Sequence, residues 1–282
     1  MSTPAMEMEL RPVRGPTALG GGRRRFLELL YLMSVTEFKR SYFGTVLGYL
    51  WSLLRPLMLF AVLLVVFTQV FRIGSNVENY PVLLLFNIVV FGFFQESTTA
   101  AVYSIVNQEA TVRKTQFPRL VIPLAVVMTA LFNLALNLVA VFIFILAFGV
   151  SPAWTWLLLP FLLALLFVFT IAVSMILSSL FVRFRDVAII WSVVVTALFY
   201  GTPVLYPLSA VPDRFRDIVL LNPLTPIFQQ ARHWVIDPSA ASASEAAGGT
   251  LQLLAPLAIF LAVCALAVWV FGREAPRIAE DL

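Results

Sequence analysis

Histidine and cysteine each occur once in 282 residues, and only 12% of the chain is charged. A single cysteine excludes an internal disulfide and a thiolate metal cluster; Cys264 lies in an apolar run and reads as a small packing residue. A single histidine, His233, with no close group of acidic residues leaves neither a metal site nor a Ser/His/Asp or Cys/His catalytic set. Asp213 and Asp217 lie one helical turn apart, but Arg214 and Arg216 stand beside them, so they read as a solvated charged face. No Gly-x-x-x-x-Gly-Lys-Ser/Thr stretch occurs. Without that phosphate loop the chain does not hydrolyse ATP by that route, and any pumping draws on energy supplied from elsewhere.

What the chain has in excess is apolar surface: 61% hydrophobic residues, 25 of them phenylalanine, and a mean hydropathy of +0.94. Soluble domains are roughly half apolar and about a quarter charged, so the bilayer is the solvent here. In lipid only helices or closed barrels satisfy the backbone, and long apolar runs in place of alternation select helices. The expected fold is therefore an all-α polytopic membrane protein. A span needs about 20 apolar residues, and six runs qualify: 50–71, 82–106, 120–148, 154–182, 188–205 and 251–271.

An even number of spans puts both termini on one side. Of the 19 Lys and Arg, only Arg72, Arg214, Arg216 and Arg232 fall on the side opposite the termini, so the positive-inside rule makes both ends cytoplasmic. The same distribution accounts for the net charge of +4 as an orientation signal and not as a nucleic-acid footprint.

Residues 1–22 mix Pro, Gly and charge without periodicity and read as a flexible cytoplasmic tail. Arg23, Arg24 and Arg25 before Phe26 imitate a signal peptide, but Glu28 interrupts the apolar run and no small-residue cleavage site follows. Residues 24–44 are expected to form an amphipathic helix at the membrane interface. Beyond it, Tyr42, Phe43, Tyr49 and Trp51 form an aromatic belt, Arg55 is placed to snorkel, and Pro56 suits the first turn of the first span.

Between the fifth and sixth spans, Pro203, Pro207, Pro212, Pro223 and Pro226 punctuate the chain. Thr225 reads as a helix N-cap with Pro226 after it. Ile227, Phe228, Ala231, Trp234 and Val235 make one apolar face, with Gln229, Gln230 and His233 off it. Two short helices that dip into or cover the outer leaflet are expected over 206–236, then a flexible return over 239–249. Polarity inside spans is costly and therefore informative: Glu96, preceded by Gln95, should face protein or water, and Asn133 and Asn137 share one helical face.

The run Tyr42-Phe43-Gly44-Thr45-Val46-Leu47-Gly48-Tyr49-Leu50-Trp51 through Arg55-Pro56, the Phe117-Pro118-Arg119 loop with Pro123, Arg183-Phe184-Arg185-Asp186-Val187, and Asn222-Pro223-Leu224-Thr225 with Arg232 together resemble the permease subunits of ABC-type polysaccharide exporters, over about residues 25–272. The resemblance implies a permease domain over 23–272 with a C-terminal tail at 273–282, working as a homodimer in a bacterial plasma membrane. Each copy would pair with a separate cytoplasmic ATPase, two in all, that holds the ATP and Mg; this chain would carry no cofactor. It further implies that Glu37 on the interface helix and Arg113, Lys114, Phe117, Pro118 and Arg119 receive the ATPase stroke. By the same likeness, 206–236, with Asn222, Pro223, Phe228, Arg232 and Trp234, forms an outer gate.

A polyprenyl-pyrophosphate-linked polysaccharide has an anionic head, a greasy tail and sugar rings with apolar faces. Lys39, Arg40 and Arg55 are placed to attract its pyrophosphate, and Phe60, Phe67, Phe199, Tyr200 and Tyr206 are the candidates for an aromatic channel lining. The competing readings are a permease for a drug or another lipid, a membrane-embedded glycan enzyme, which should carry acidic or histidine residues on an interface loop, and an ion channel, which should carry a repeated filter sequence.

Overall fold

One helix, α3 (Tyr80–Asn107), runs through the middle of the molecule. The computed structural model describes residues 22–42, 48, 50–70, 77–109 and 118–274. Around α3 stand α1 (Gly22–Tyr42), α2 (Leu50–Val65), α4 (Val121–Ala147), α5 (Leu159–Arg183), α6 (Val187–Gly201) and α10 (Leu254–Glu274). Three short helices lie between α6 and α10: α7 (Asp213–Leu221), α8 (Leu224–Ala231) and α9 (Ala243–Ala247). Among the described residues every regular element is helical, as a chain in lipid requires.

Sequence signals start several of these helices. Pro81 and Pro160 stand in the first turns of α3 and α5, where a missing N–H costs nothing. Asn79 caps α3 from the left-handed region at φ 54, which asparagine tolerates better than most residues, and its carbonyl accepts from the N–H groups of Val82 and Leu83. Pro56 departs from expectation. The first span begins at Leu50, so Pro56 falls inside α2, not in its first turn, and offers no N–H to the carbonyl of Ser52.

Five helical stretches are long and apolar enough to cross a membrane: Leu50–Val70, Tyr80–Asn107, Val121–Ala147, Trp154–Arg183 and Leu254–Glu274. The run expected as the fifth of six spans, 188–205, is interrupted. Its helix α6 has 15 residues, about 22 Å at 1.5 Å per residue, against a hydrocarbon thickness of about 30 Å. Pro203 explains the break, since the residue before a proline is pushed out of the helical region, and Thr202 has extended ψ 146. The chain beyond it folds back into the protein: Thr202, Val204, Leu205 and Leu208 are all at most 2% exposed.

Irregular backbone at this depth must find partners, and α3 supplies them. Tyr80 donates its hydroxyl to the Leu205 carbonyl at 2.7 Å, and the Asn87 side-chain amide donates to the carbonyls of Pro203 and Val204 at 3.1 Å each. Aromatic rings bind the same layers together. Trp191 of α6 meets Phe94 of α3 edge-on at 6.1 Å, Phe94 stacks on Phe169 of α5 at 6.0 Å, and Phe169 stacks on Phe260 of α10 at 5.4 Å. Trp191 also donates its indole N–H to the Thr98 hydroxyl. The helix α1 lies along the first half of α4: Phe38 packs edge-on against Phe132 at 5.7 Å, and Thr129 donates to the Ser34 carbonyl.

Candidate functional site

A crevice of about 710 Å³ opens between α2, α3, α4 and the end of α6. Its long wall is one stripe of α3: Ile88, Gly92, Glu96, Thr99 and Tyr103 recur at three- and four-residue intervals, the spacing of a single helix face. From Ile88 to Tyr103 that stripe measures about 22 Å along the axis. The facing wall is the Trp51, Ser52, Arg55, Pro56 and Leu59 side of α2, and α4 contributes Asn133 and Asn137.

The polar groups singled out in the spans meet here. The Asn133 amide donates to the Glu96 carboxylate at 2.6 Å, although the two residues stand on different helices. Asn137, one turn further along α4, donates to the Asn133 carbonyl at 2.8 Å and also lines the crevice. Arg55 reaches it from α2 and lines the same crevice as Glu96. A charged side chain in mid-span costs about 2.5–3.5 kcal/mol on insertion scales, and at that depth Glu96 has the Asn133 amide as its hydrogen-bond partner, with Arg55 lining the same crevice. These are groups that bind, orient and neutralise. Nothing among them is a nucleophile set against a general base.

A second constellation sits in the connection after α6. Asn222 accepts the Leu224 N–H on its side-chain oxygen at 3.0 Å and donates to the Thr202 hydroxyl at 2.8 Å, so Asn222, not Thr225, receives the start of α8. Thr225 instead donates to the Val219 carbonyl at 2.7 Å, closing the turn between α7 and α8. The helix α8 runs on into a wider turn over Arg232–Ile236. Arg232 and Asp237 pair at 3.1 Å with side chains only 11% and 7% exposed, and the Ser239 N–H and hydroxyl also donate to Asp237. Burial alone would raise the Asp237 carboxyl, but the hydrogen bonds from Ser239 and Arg232 and the Arg232 charge outweigh it and hold the group below the usual carboxylate range.

The three polar residues off the apolar face have a purpose the sequence reading left open. Gln229 donates to the Ala241 carbonyl, Gln230 accepts the Ala243 N–H, and His233 pairs through Nδ1 with the Ala240 carbonyl. They fasten the 239–249 stretch, expected as a flexible return, which holds α9. That helix has a full capping box between Ser242 and Glu245 and ends on Gly248 at φ 83, a conformation suited to glycine. The Ser-x-x-Glu pattern was visible in the sequence, but the small residues around it resemble a linker.

The remaining candidates are dispersed. Glu37 lies half-buried on α1, Lys39 and Arg40 are exposed one turn from its end, and Arg119 is half-buried just before α4. Arg113, Lys114 and Phe117 lie outside the described residues, whereas Pro118 accepts the Val121 N–H on its carbonyl. Of the aromatic candidates, Phe60 is 8% exposed and packs edge-on against Phe144, and Phe67 is half-buried. Phe199 lines the crevice, Tyr200 is 60% exposed, and Tyr206 donates its hydroxyl to the Tyr200 carbonyl. In the outer connection Phe228 is buried against Phe91, and the Trp234 carbonyl accepts from the Thr155 hydroxyl.

Residues 28–235 match the ABC-2 type transporter family. Over 198 residues the chain is 34% identical to the O-antigen export system permease protein RfbA of Myxococcus xanthus, covering 70% of this chain and 75% of that protein. A Klebsiella pneumoniae protein of the same description is 31% identical over 198 residues, with 70% and 76% covered.

Proposed function

Because the chain belongs to the ABC-2 type transporter family, we propose that it is the membrane permease subunit of an ATP-driven exporter. Its cargo is a lipid-linked polysaccharide of the O-antigen kind, carried from the cytoplasmic to the outer side of the plasma membrane. The observation that carries this reading is the extent of the likeness to O-antigen export permeases, 70% of the chain. The open polar crevice among spanning helices supports it. The permease works as a homodimer with two copies of a separate ATPase, both termini are cytoplasmic, and α6 with its buried continuation completes a sixth crossing.

Within that reading, Glu37, Arg113, Lys114, Phe117, Pro118 and Arg119 meet the ATPase, and α1, laid along α4, passes the movement to the spans. Lys39 and Arg40 meet the anionic head of the lipid at the cytoplasmic surface. The connection from Tyr206 to Ile236, with Asn222, Pro223, Phe228, Arg232 and Trp234, closes the outer end. Of the five candidate aromatics Tyr200 is the most open to a passing chain, with Tyr206 bonded to its carbonyl, Phe67 and Phe199 half-buried, and Phe60 packed on Phe144.

The test is genetic and biochemical together. Removing the chain should abolish surface polysaccharide and leave the lipid-linked glycan inside the cell; normal surface polysaccharide would refute the proposal. Reversing the charges of Glu37, Arg113 and Lys114 should separate ATP hydrolysis from export, and unchanged export would remove those residues from the coupling surface.

A further inference from the structure

Arg183, Arg185 and Arg273 belong to the positive charges that orient the chain, and the fold gathers them at one end of one helix pair. Phe169 of α5 stacks on Phe260 of α10, and further along both helices Val182 and Phe271 share one buried cluster with Ile105 and Ile122. The two helices therefore run in the same direction and finish side by side. Arg183 and Arg185 follow Val182, Arg273 follows Phe271, and all three are exposed.

Each guanidinium lies over a ring: Arg183 over Phe184 at 5.3 Å, Arg185 over Phe181 at 4.9 Å and Arg273 over Trp269 at 5.5 Å. A cation held by a ring spends none of its N–H donors on an acceptor, so they stay available. Among the described residues no carboxylate pairs with any of the three, although Asp186 adjoins Arg185 and Glu274 adjoins Arg273 in sequence. Arg216 and Arg232, in the connection between α6 and α10, do have carboxylates, at 3.8 and 3.1 Å. The rings also show what surrounds these cations. Trp269 and Phe184 are exposed at the ends of apolar helices, a place suited to the boundary between hydrocarbon and headgroups. That boundary puts the guanidinium groups among phosphates.

We propose that the paired ends of α5 and α10 bind the headgroup of an anionic phospholipid: Arg183, Arg185 and Arg273 donate to its phosphate oxygens, and Trp269 and Phe184 lie against its acyl chains. Charge-assisted bonds from arginine suit phosphate, and each cation near an anionic lipid surface is worth about fivefold in affinity. The lipid is a resident of the membrane and not the cargo. Only the side of the membrane, cytoplasmic, rests on the export reading and its orientation.

The first experiment is native mass spectrometry of the full chain in complex with its ATPase, released from micelles containing equal amounts of phosphatidylglycerol and phosphatidylcholine. Phosphatidylglycerol should be retained about tenfold over phosphatidylcholine. The triple variant Arg183→Gln, Arg185→Gln, Arg273→Gln should lose that preference, and Arg214→Gln, which removes a cation lying over Phe215, should keep it. Equal retention of the two lipids by the wild type, a preference that survives the triple substitution, or one lost equally in Arg214→Gln overturns the proposal. Displacement of the lipid by inorganic phosphate also overturns it, by making the ligand a free anion. Loss of the ATPase from the triple variant with the lipid preference intact overturns it too, by giving the surface to that partner. The second experiment needs no arginine variant. In phosphatidylcholine vesicles holding a minor share of brominated lipid, the quenching assigned to Trp269 is the wild-type value minus that of Trp269→Phe. It should be about twofold greater for brominated phosphatidylglycerol than for brominated phosphatidylcholine, and equal quenching overturns the proposal. Failure of the export reading is separate, since it is read from surface polysaccharide and leaves lipid binding untouched.

Discussion

Of the first two spanning helices, the one with the more hydrophobic window is the less buried. In α2 and its continuation 6% of that window is inside the protein, and in α3 the share is 78%. In water the order would be reversed, because apolar surface would be driven inward. In lipid the tails are as apolar as leucine, so hydrophobicity places a helix in the membrane without choosing its neighbours, and packing and polar contacts decide which helix takes the centre. That helix is α3, which carries the Tyr80 hydroxyl and the Asn87 amide for the buried turn after α6 and the Glu96 carboxylate for Asn133. Met58 and Val62 of α2 face outward at 61% and 63% exposure, and Phe60 alone on that helix is buried.

The contrast can be broken most sharply at Phe91, fully buried among Phe94, Phe199 and Phe228. Phe91→Ala should cost about 3–5 kcal/mol of stability in reversible unfolding from mixed micelles; a loss no larger than that of an α2 substitution would erase the distinction. Asp237→Asn comes next, at roughly 3 kcal/mol, because it strands the buried Arg232 guanidinium. Since the Asp237 carboxyl is held below its usual range, the wild-type contribution should be complete above pH of about 4 and fade as pH falls through the lowered value. The Asn variant should lack that acid-side slope.

Asn87→Leu should cost about 1–3 kcal/mol, because the Pro203 and Val204 carbonyls lose their donor away from water; protease sensitivity of the connection after α6 is the independent readout. On the open side, Val62→Ala should change stability by no more than about 0.5 kcal/mol. A large effect of that substitution in the isolated protomer would mean that α2 is packed more tightly than its exposure indicates.

The membrane class, the five long apolar helices among the six expected and the polar residues worth watching were legible because lipid imposes length and polarity constraints that a sequence displays directly. Glu96, Asn133 and Asn137 stood out as polar groups in apolar runs, yet only the structure joins Glu96 to Asn133, since a contact between residues 37 apart leaves no local periodicity. Asn87 passed unnoticed although it sends the same signal of polarity inside a span. Pro203 was read as loop punctuation. Its effect on the apolar run before it, a helix ended at Gly201 and a chain turned inward, depends on donors from α3 that no stretch near Pro203 contains. The 239–249 stretch misled for the opposite reason: its small residues suit a linker, and the side chains that order it come from α8 and the turn that follows it.

The clasp that Tyr80 and Asn87 make on the turn after α6 has a mechanical corollary. A strut and the roof bolted to it cannot tilt separately, so rotation of α3 carries the Pro203–Leu205 turn along, and Asn222, through its bond to Thr202, draws the start of α8 with it. No such clasp ties α2, whose 6% burial against 78% for α3 leaves it the freer of the two to shift.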